Sequence, residues 1–126
     1  MPAKKIINIS ASPITMQAEL NDTKTAQLIW DSLPFNGKAN TWGEEIYFGI
    51  SLKTDEEKPQ EVVQLGDLGY WVPGTAFCIF FGKTPVSRGD EIRPYSPVTV
   101  IGKLLGDPKV FKKVKDGTRI LIEKVE

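Results

Sequence analysis

Histidine is missing from all 126 residues of this chain. Without an imidazole there is no ordinary general base at neutral pH, no supply of the commonest transition-metal ligand and no middle member of a serine or cysteine triad. Cysteine is nearly absent as well. Cys78 stands alone, so neither a disulfide within the chain nor a cysteine-rich metal cage can form. It lies inside the apolar run Ala76-Phe77-Cys78-Ile79-Phe80-Phe81, where a free thiol behaves as a small buried hydrophobe with a raised pKa. No metal, cofactor or redox chemistry is expected.

An excess of one charge is lacking too, since sixteen basic residues face sixteen acidic ones. Such a balance gives no broad positive field, so neither nucleic acid nor a membrane surface is an expected partner. The one basic cluster, Lys109, Lys112, Lys113 and Lys115, is interrupted by Val110, Phe111 and Val114, which reads as a solvated face over a buried stripe. No apolar run reaches eighteen residues, and Met1 to Ile7 carries two lysines with no long apolar stretch and no cleavage-site pattern behind it. A soluble, cytoplasmic protein is the expectation.

What is present is enough for one core: 40% of the residues are apolar, and the length suits a single domain over residues 1–126. Ile6 to Ala11 reads as a strand. Ile14 to Leu20 alternates cleanly, with Ile14, Met16, Ala18 and Leu20 on one side and Thr15, Gln17 and Glu19 on the other. Asn21-Asp22-Thr23 offers helix-capping chemistry, and Ala26, Ile29, Trp30 and Leu33 follow at helical spacing, stopping before Pro34. Asn36-Gly37 reads as a turn. Trp42 to Leu52 reads as one long strand, Lys53 to Gln60 as an exposed charged loop, and Glu61 to Leu65 and Leu68 to Val72 as short strands around a Gly66-Asp67 turn. Pro73-Gly74 has the order of a type II turn. The continuous apolar segment Ala76 to Phe81 predicts a central strand covered on both faces. Gly82 to Pro97 has three prolines, two glycines and no period, hence a long loop. Val98 to Leu105 and Thr118 to Val125 complete eight strands, with at most a turn or two of helix between Asp107 and Lys115. This pattern points to a mainly β antiparallel barrel or sandwich with one well-formed helix.

Several ordered blocks carry a family resemblance. Gly66-Asp67-Leu68-Gly69-Tyr70-Trp71-Val72-Pro73-Gly74, then Cys78-Ile79-Phe80-Phe81-Gly82-Lys83-Thr84-Pro85, resembles the signature of a small prokaryotic family with a cyclophilin-like fold. Glu19 to Ala26, Trp42 to Phe48 and Arg93 to Val98 agree with it, so that residues 14–105 are mostly covered. The resemblance implies an eight-stranded cyclophilin-like antiparallel β-barrel, in a family described by fold and not by a reaction. True cyclophilins bring an arginine from a Phe-His-Arg segment and a glutamine from a Gln-Gly-Gly-Asp segment to a substrate proline. Neither segment occurs here, and Arg88, Arg93 and Arg119 have no matching context. Prolyl isomerisation therefore does not follow from the fold.

The Gly82 to Pro97 loop is long enough to be a binding loop. Arg93 and Arg88 offer forked donors to a carboxylate or phosphate, with hydroxyls from Thr84, Ser87 and Tyr95 beside them, although Asp90 and Glu91 are close enough to absorb both arginines. Among the aromatics Trp42, Tyr47, Tyr70 and Trp71, the last two are adjacent on a strand and must face opposite sides, so one of them lines an outer groove. Glu44 and Glu45 likewise point apart and make a poor acid–base pair, and Asp67 sits where an aspartate caps its own turn. The sequence thus favours a non-enzymatic barrel that binds a small molecule or extended peptide beside the 82–97 loop, through Arg93, Arg88, Thr84, Tyr95, Trp71 and Tyr70. The alternative is a divergent peptidyl-prolyl isomerase or an amide-acting hydrolase, since other cyclophilin-like barrels occur within amide-cleaving enzymes. A third reading is a structural subunit in which Trp71 marks an interface.

Overall fold

The computed structural model describes residues 4–125; the first three residues of the lysine-containing N-terminal stretch and Glu126 lie outside it. Nine strands form one antiparallel sheet that curls into a nearly closed barrel: β1 (Lys5–Ala11), β2 (Ile14–Leu20), β3 (Phe35–Lys38), β4 (Asn40–Trp42), β5 (Glu45–Gly49), β6 (Asp67–Trp71), β7 (Ala76–Phe80), β8 (Thr99–Leu104) and β9 (Arg119–Lys124). Their order is β3-β9-β1-β2-β8-β6-β7-β5-β4. A single α-helix, α1 (Lys24–Ser32), follows β2. No helix among the described residues is long and apolar enough to cross a membrane.

The mainly β barrel with one helix is the architecture that the alternating pattern predicts. The count is nine strands where eight were expected, and three local differences explain it. The stretch from Trp42 to Leu52 is not one strand, because Gly43 at φ 59° turns the chain and pairs Trp42 with Glu45 in a tight hairpin. Asn36 and Gly37 are not a turn but the middle of β3, paired with Leu121 and Ile120. Glu61 to Leu65 forms no strand, contributing only the isolated bridge Val63 to Ile92, with a second, Gln60 to Val98, just before it. Pro73-Gly74 also differs from a type II turn: Val72–Gly74 is a 3₁₀ turn, and the left-handed residue is Thr75 at φ 44°.

The helix is capped as its sequence predicts, the Thr23 hydroxyl accepting from the Ala26 N–H at 3.1 Å. A second cap comes from outside. The Glu57 carboxylate accepts from the N–H groups of Lys24 and Thr25 at 3.0 and 2.9 Å, satisfying two further donors that a helix start leaves free. The charged segment Lys53 to Gln60 is therefore tied to the barrel, and its Glu57 N–H donates to the Thr99 hydroxyl.

Two apolar clusters form. The larger fills the barrel with Ile7, Ile9, Phe48, Leu68, Tyr70, Phe77, Ile79, Ile101, Ile120, Ile122 and their neighbours. The smaller, Val63, Ala76, Cys78, Phe80, Ile92 and Val98, lies on the other face of β7. All five β7 residues are buried, as their unbroken apolar run predicts. The 3₁₀ turn Pro108–Lys113 seats Phe111 in the main core while Lys109, Lys112 and Lys113 face solvent.

The barrel wall is tightest where β8 passes between β2 and β6. A Cβ at Gly102 would fall 2.3 Å from the Glu19 carbonyl oxygen and 2.9 Å from the Leu20 Cα, both backbone atoms that side-chain motion cannot clear. Gly102→Ala is expected to cost roughly 3 kcal/mol or more in urea unfolding. Gly49→Ala, whose added Cβ meets nothing within 4 Å, serves as the control and is expected to leave stability unchanged or slightly raised.

Candidate functional site

The second face of β7 creates the site. Strand alternation puts Glu45 and Tyr47 of β5 on the side opposite Ile46 and Phe48, and cross-strand pairing sets them beside Phe80 and Cys78. Trp42, the partner of Glu45 across the hairpin, shares that face. On β6 the same alternation sends Tyr70 into the barrel and Trp71 outward.

The 82–97 loop folds over this outer face. Its shape is held by Thr84, whose hydroxyl donates to the Arg93 carbonyl, and by Ser87, whose Oγ accepts from the Thr84 and Arg93 N–H groups at 3.0 Å each. The indole of Trp71 donates to Ser96 Oγ at 2.5 Å, joining β6 to the end of the loop. A Cβ at Gly74 would lie 2.5 Å from Cζ3 of Trp71, so this glycine leaves room for the indole.

Between loop and sheet is a cavity of about 230 Å³ lined by Trp42, Glu45, Tyr47, Trp71, Pro94, Tyr95 and Val98. The Tyr95 ring stands edge-on to both indoles, 5.9 Å from Trp42 and 6.0 Å from Trp71, and is 72% exposed on its outer side. Its walls are thus almost wholly apolar and aromatic.

Glu45 is the exception. Only 5% of it is exposed, and its Oε1 is shut off from solvent with no hydrogen-bond partner among the described residues. Burial pushes its carboxyl up to about 7, opposed by a smaller effect of hydrogen bonding from the Cys78 thiol beside it, a weak donor that leaves Oε1 without a partner. The thiol is itself pushed well up, by burial first and by Glu45 second, which makes it a poor nucleophile. A buried carboxyl pushed up toward neutrality at the wall of an aromatic pocket can accept or release a proton, accept a hydrogen bond or pair with a cation.

The residues singled out from the sequence are distributed unevenly around this cavity. Trp71 and Tyr95 line it. Thr84 is buried beneath the loop, its hydroxyl committed to the loop backbone. Arg93 forms an ion pair with Glu91 at 2.6 Å, and Arg88 is exposed; neither guanidinium lines the cavity. Tyr70 is fully buried in the barrel interior, its hydroxyl donating to the Leu52 carbonyl at 2.6 Å. Asp67 accepts from the Gln64 N–H, a turn cap. Among the described residues no group of three or more cysteine or acidic side chains is placed to hold a metal.

A family model described as cyclophilin-like matches residues 5–123. The chain belongs to the cyclophilin-like family. The solution structure of a hypothetical protein from Archaeoglobus fulgidus is similar to it, with 38% identity over 99% of this chain and 98% of that one and a TM-score of 0.84. No curated protein matches. The cyclophilin-like assignment fixes the fold, and the relative, itself hypothetical, supplies no activity.

Glu45 leaves a signature in stability. Its folded pKa lies above the ordinary value of 4.5, so between pH 4.5 and 7 the native state binds the proton more tightly than the unfolded chain does. Stability is therefore highest at or below pH 4.5 as far as this group is concerned and falls as pH rises to 7. Glu45→Gln is expected to flatten this slope and to raise stability at pH 8 by about 3 kcal/mol, read from urea unfolding across pH.

Proposed function

We propose that this cyclophilin-like protein is a binding protein that takes a small molecule, or a side chain of an extended peptide, into the aromatic cavity beside the 82–97 loop. The observation that carries this reading is an apolar pocket with one unpartnered, desolvated carboxyl at its wall. A buried acceptor with no partner costs stability, and that cost is offset when a ligand donates to it. About 230 Å³ is more than the roughly 150 Å³ of an apolar cavity that holds benzene. It suits a small ring or branched group rather than a nucleotide.

In this reading Trp71 and Tyr95 contact the ligand together with Trp42, while Thr84 and Ser87 hold the loop in shape. Arg88 and Arg93 sit on the same loop, where they can steer a negatively charged part of a longer ligand that extends out of the cavity.

A second reading is catalytic, and Glu45 favours it, because a carboxyl titrating near 7 suits general-base work. It would make the protein a divergent prolyl isomerase or an amide-acting hydrolase. The thiol beside Glu45 is a poor nucleophile, which weighs against hydrolysis through a covalent intermediate. A proline-peptide isomerisation assay is expected to return the uncatalysed rate; an acceleration abolished by Glu45→Gln would establish the catalytic reading.

Two of the three tryptophans line the cavity, so ligand entry is expected to change the intrinsic fluorescence. Hits from a thermal-shift screen of small metabolites and peptides should quench or shift this emission and lose at least tenfold in affinity with Tyr95→Ala. Hits that bind the Tyr95→Ala and Trp42→Ala variants unchanged would move the site elsewhere.

A further inference from the structure

The cavity presents two features that select the same kind of ligand. Three aromatic rings line it, Tyr95 standing edge-on to Trp42 at 5.9 Å and to Trp71 at 6.0 Å between ring centres, and a ring face attracts a cation held within about 6 Å of its centre. Glu45 adds an acceptor that lacks a donor. No lysine or arginine lines the cavity to neutralise it. Lys112 pairs with the neighbouring Glu44 at 3.1 Å, on a different surface.

Other ligand classes fit less well. An anion would meet both the carboxylate and the negative ring faces. A pure hydrocarbon would leave the carboxyl without a donor and strip water from the rest of the cavity. A quaternary ammonium would satisfy the rings but has no hydrogen to give to Glu45. A cation with small alkyl groups and one N–H meets both demands, since the alkyl groups pack on the rings and the N–H forms a charge-assisted hydrogen bond.

We infer that the cavity recognises an alkylated ammonium group that retains one N–H, such as a dimethylamine, enclosed by Trp42, Trp71 and Tyr95 and donating to Glu45. This rests on the reading of the cavity as a ligand site. The terminal torsion of a glutamate is soft, so either carboxylate oxygen can turn toward the bound group. A cation in the cavity draws Glu45 into its charged form, and binding below pH 7 therefore expels a proton. The other titratable groups facing the carboxyl are Tyr47 and Tyr95 in the cavity and Cys78 on β7, none of which carries positive charge.

The test is calorimetric titration of the full chain with N,N-dimethylbutylamine and with 2-methyl-2-hexanol, a neutral molecule of nearly the same shape. At pH 8 the amine is expected to bind at least tenfold more tightly than the alcohol. That preference should fall to near parity in Glu45→Gln and in Tyr95→Ala, the latter an exposed loop position with no risk to the fold. Amine affinity should also rise several-fold from pH 6 to pH 8. Equal binding of alcohol and amine would overturn the inference while leaving the ligand-binding reading intact. Binding of neither would also overturn the inference; the ligand-binding reading falls separately, if no compound or peptide of the thermal-shift screen changes the tryptophan emission. A peptide carrying dimethyllysine is titrated alongside: tighter binding than the free amine assigns the group to a protein side chain, and weaker binding assigns it to a free metabolite.

Discussion

Every feature of the candidate site depends on β7 being apolar on both faces. In a barrel wall one face of a strand looks inward and the other meets solvent, which normally gives alternation. Phe77 and Ile79 satisfy the interior, but Ala76, Cys78 and Phe80 demand a second cover outside. The 82–97 loop and the bridged residues Val63 and Ile92 supply it. The loop therefore has a packing reason to lie against the sheet, and the cavity is the part of that interface where the cover does not fill the space.

Glu45 sits where this second cover ends. In water its charge would be unremarkable, and its position in the alternation, in phase with Tyr47, is that of a solvent-facing residue. Closure of the loop removes the water without providing a donor. Two physical tendencies thus conflict at one side chain, polar patterning that expects exposure and packing that imposes burial, and such conflicts concentrate at functional positions.

The same reasoning explains what was legible in the sequence. The barrel class, the helix with its Thr23 cap, the buried β7 and the solvated lysines over Phe111 all follow from periodicity and composition, because each is decided locally. The hairpin at Gly43 was not legible, since Trp42 to Leu52 keeps one alternation across the break. The segment Glu61 to Leu65 has strand composition but finds only a single bridge, a tertiary outcome that propensity does not encode. At the site, Trp71 and Tyr95 were visible as aromatics with a polar edge, and the 82–97 loop as too long to be a simple connection. Glu45 was not, because the residues that cover it, Trp71, Pro94, Tyr95 and Val98, lie far from it in sequence. A glutamate in phase with aromatic residues on a strand next to a long loop is the one signal that pointed toward it.

The position of β9 between β3 and β1 has a consequence for how the barrel is made. Both of its neighbours are synthesised long before it, so the two edges that it will join have no partner until β9 itself has been made. Open edges of that kind template pairing with other chains. β3 is only four residues long and ends in Lys38, and β1 begins at Lys5, so each edge carries a charge that discourages such pairing during the wait. β9 joins them through contacts far apart in sequence, and topologies dominated by such contacts fold slowly for their size. β3 pairs with no other strand, so the place of this end of the sheet rests on the register of β9 alone.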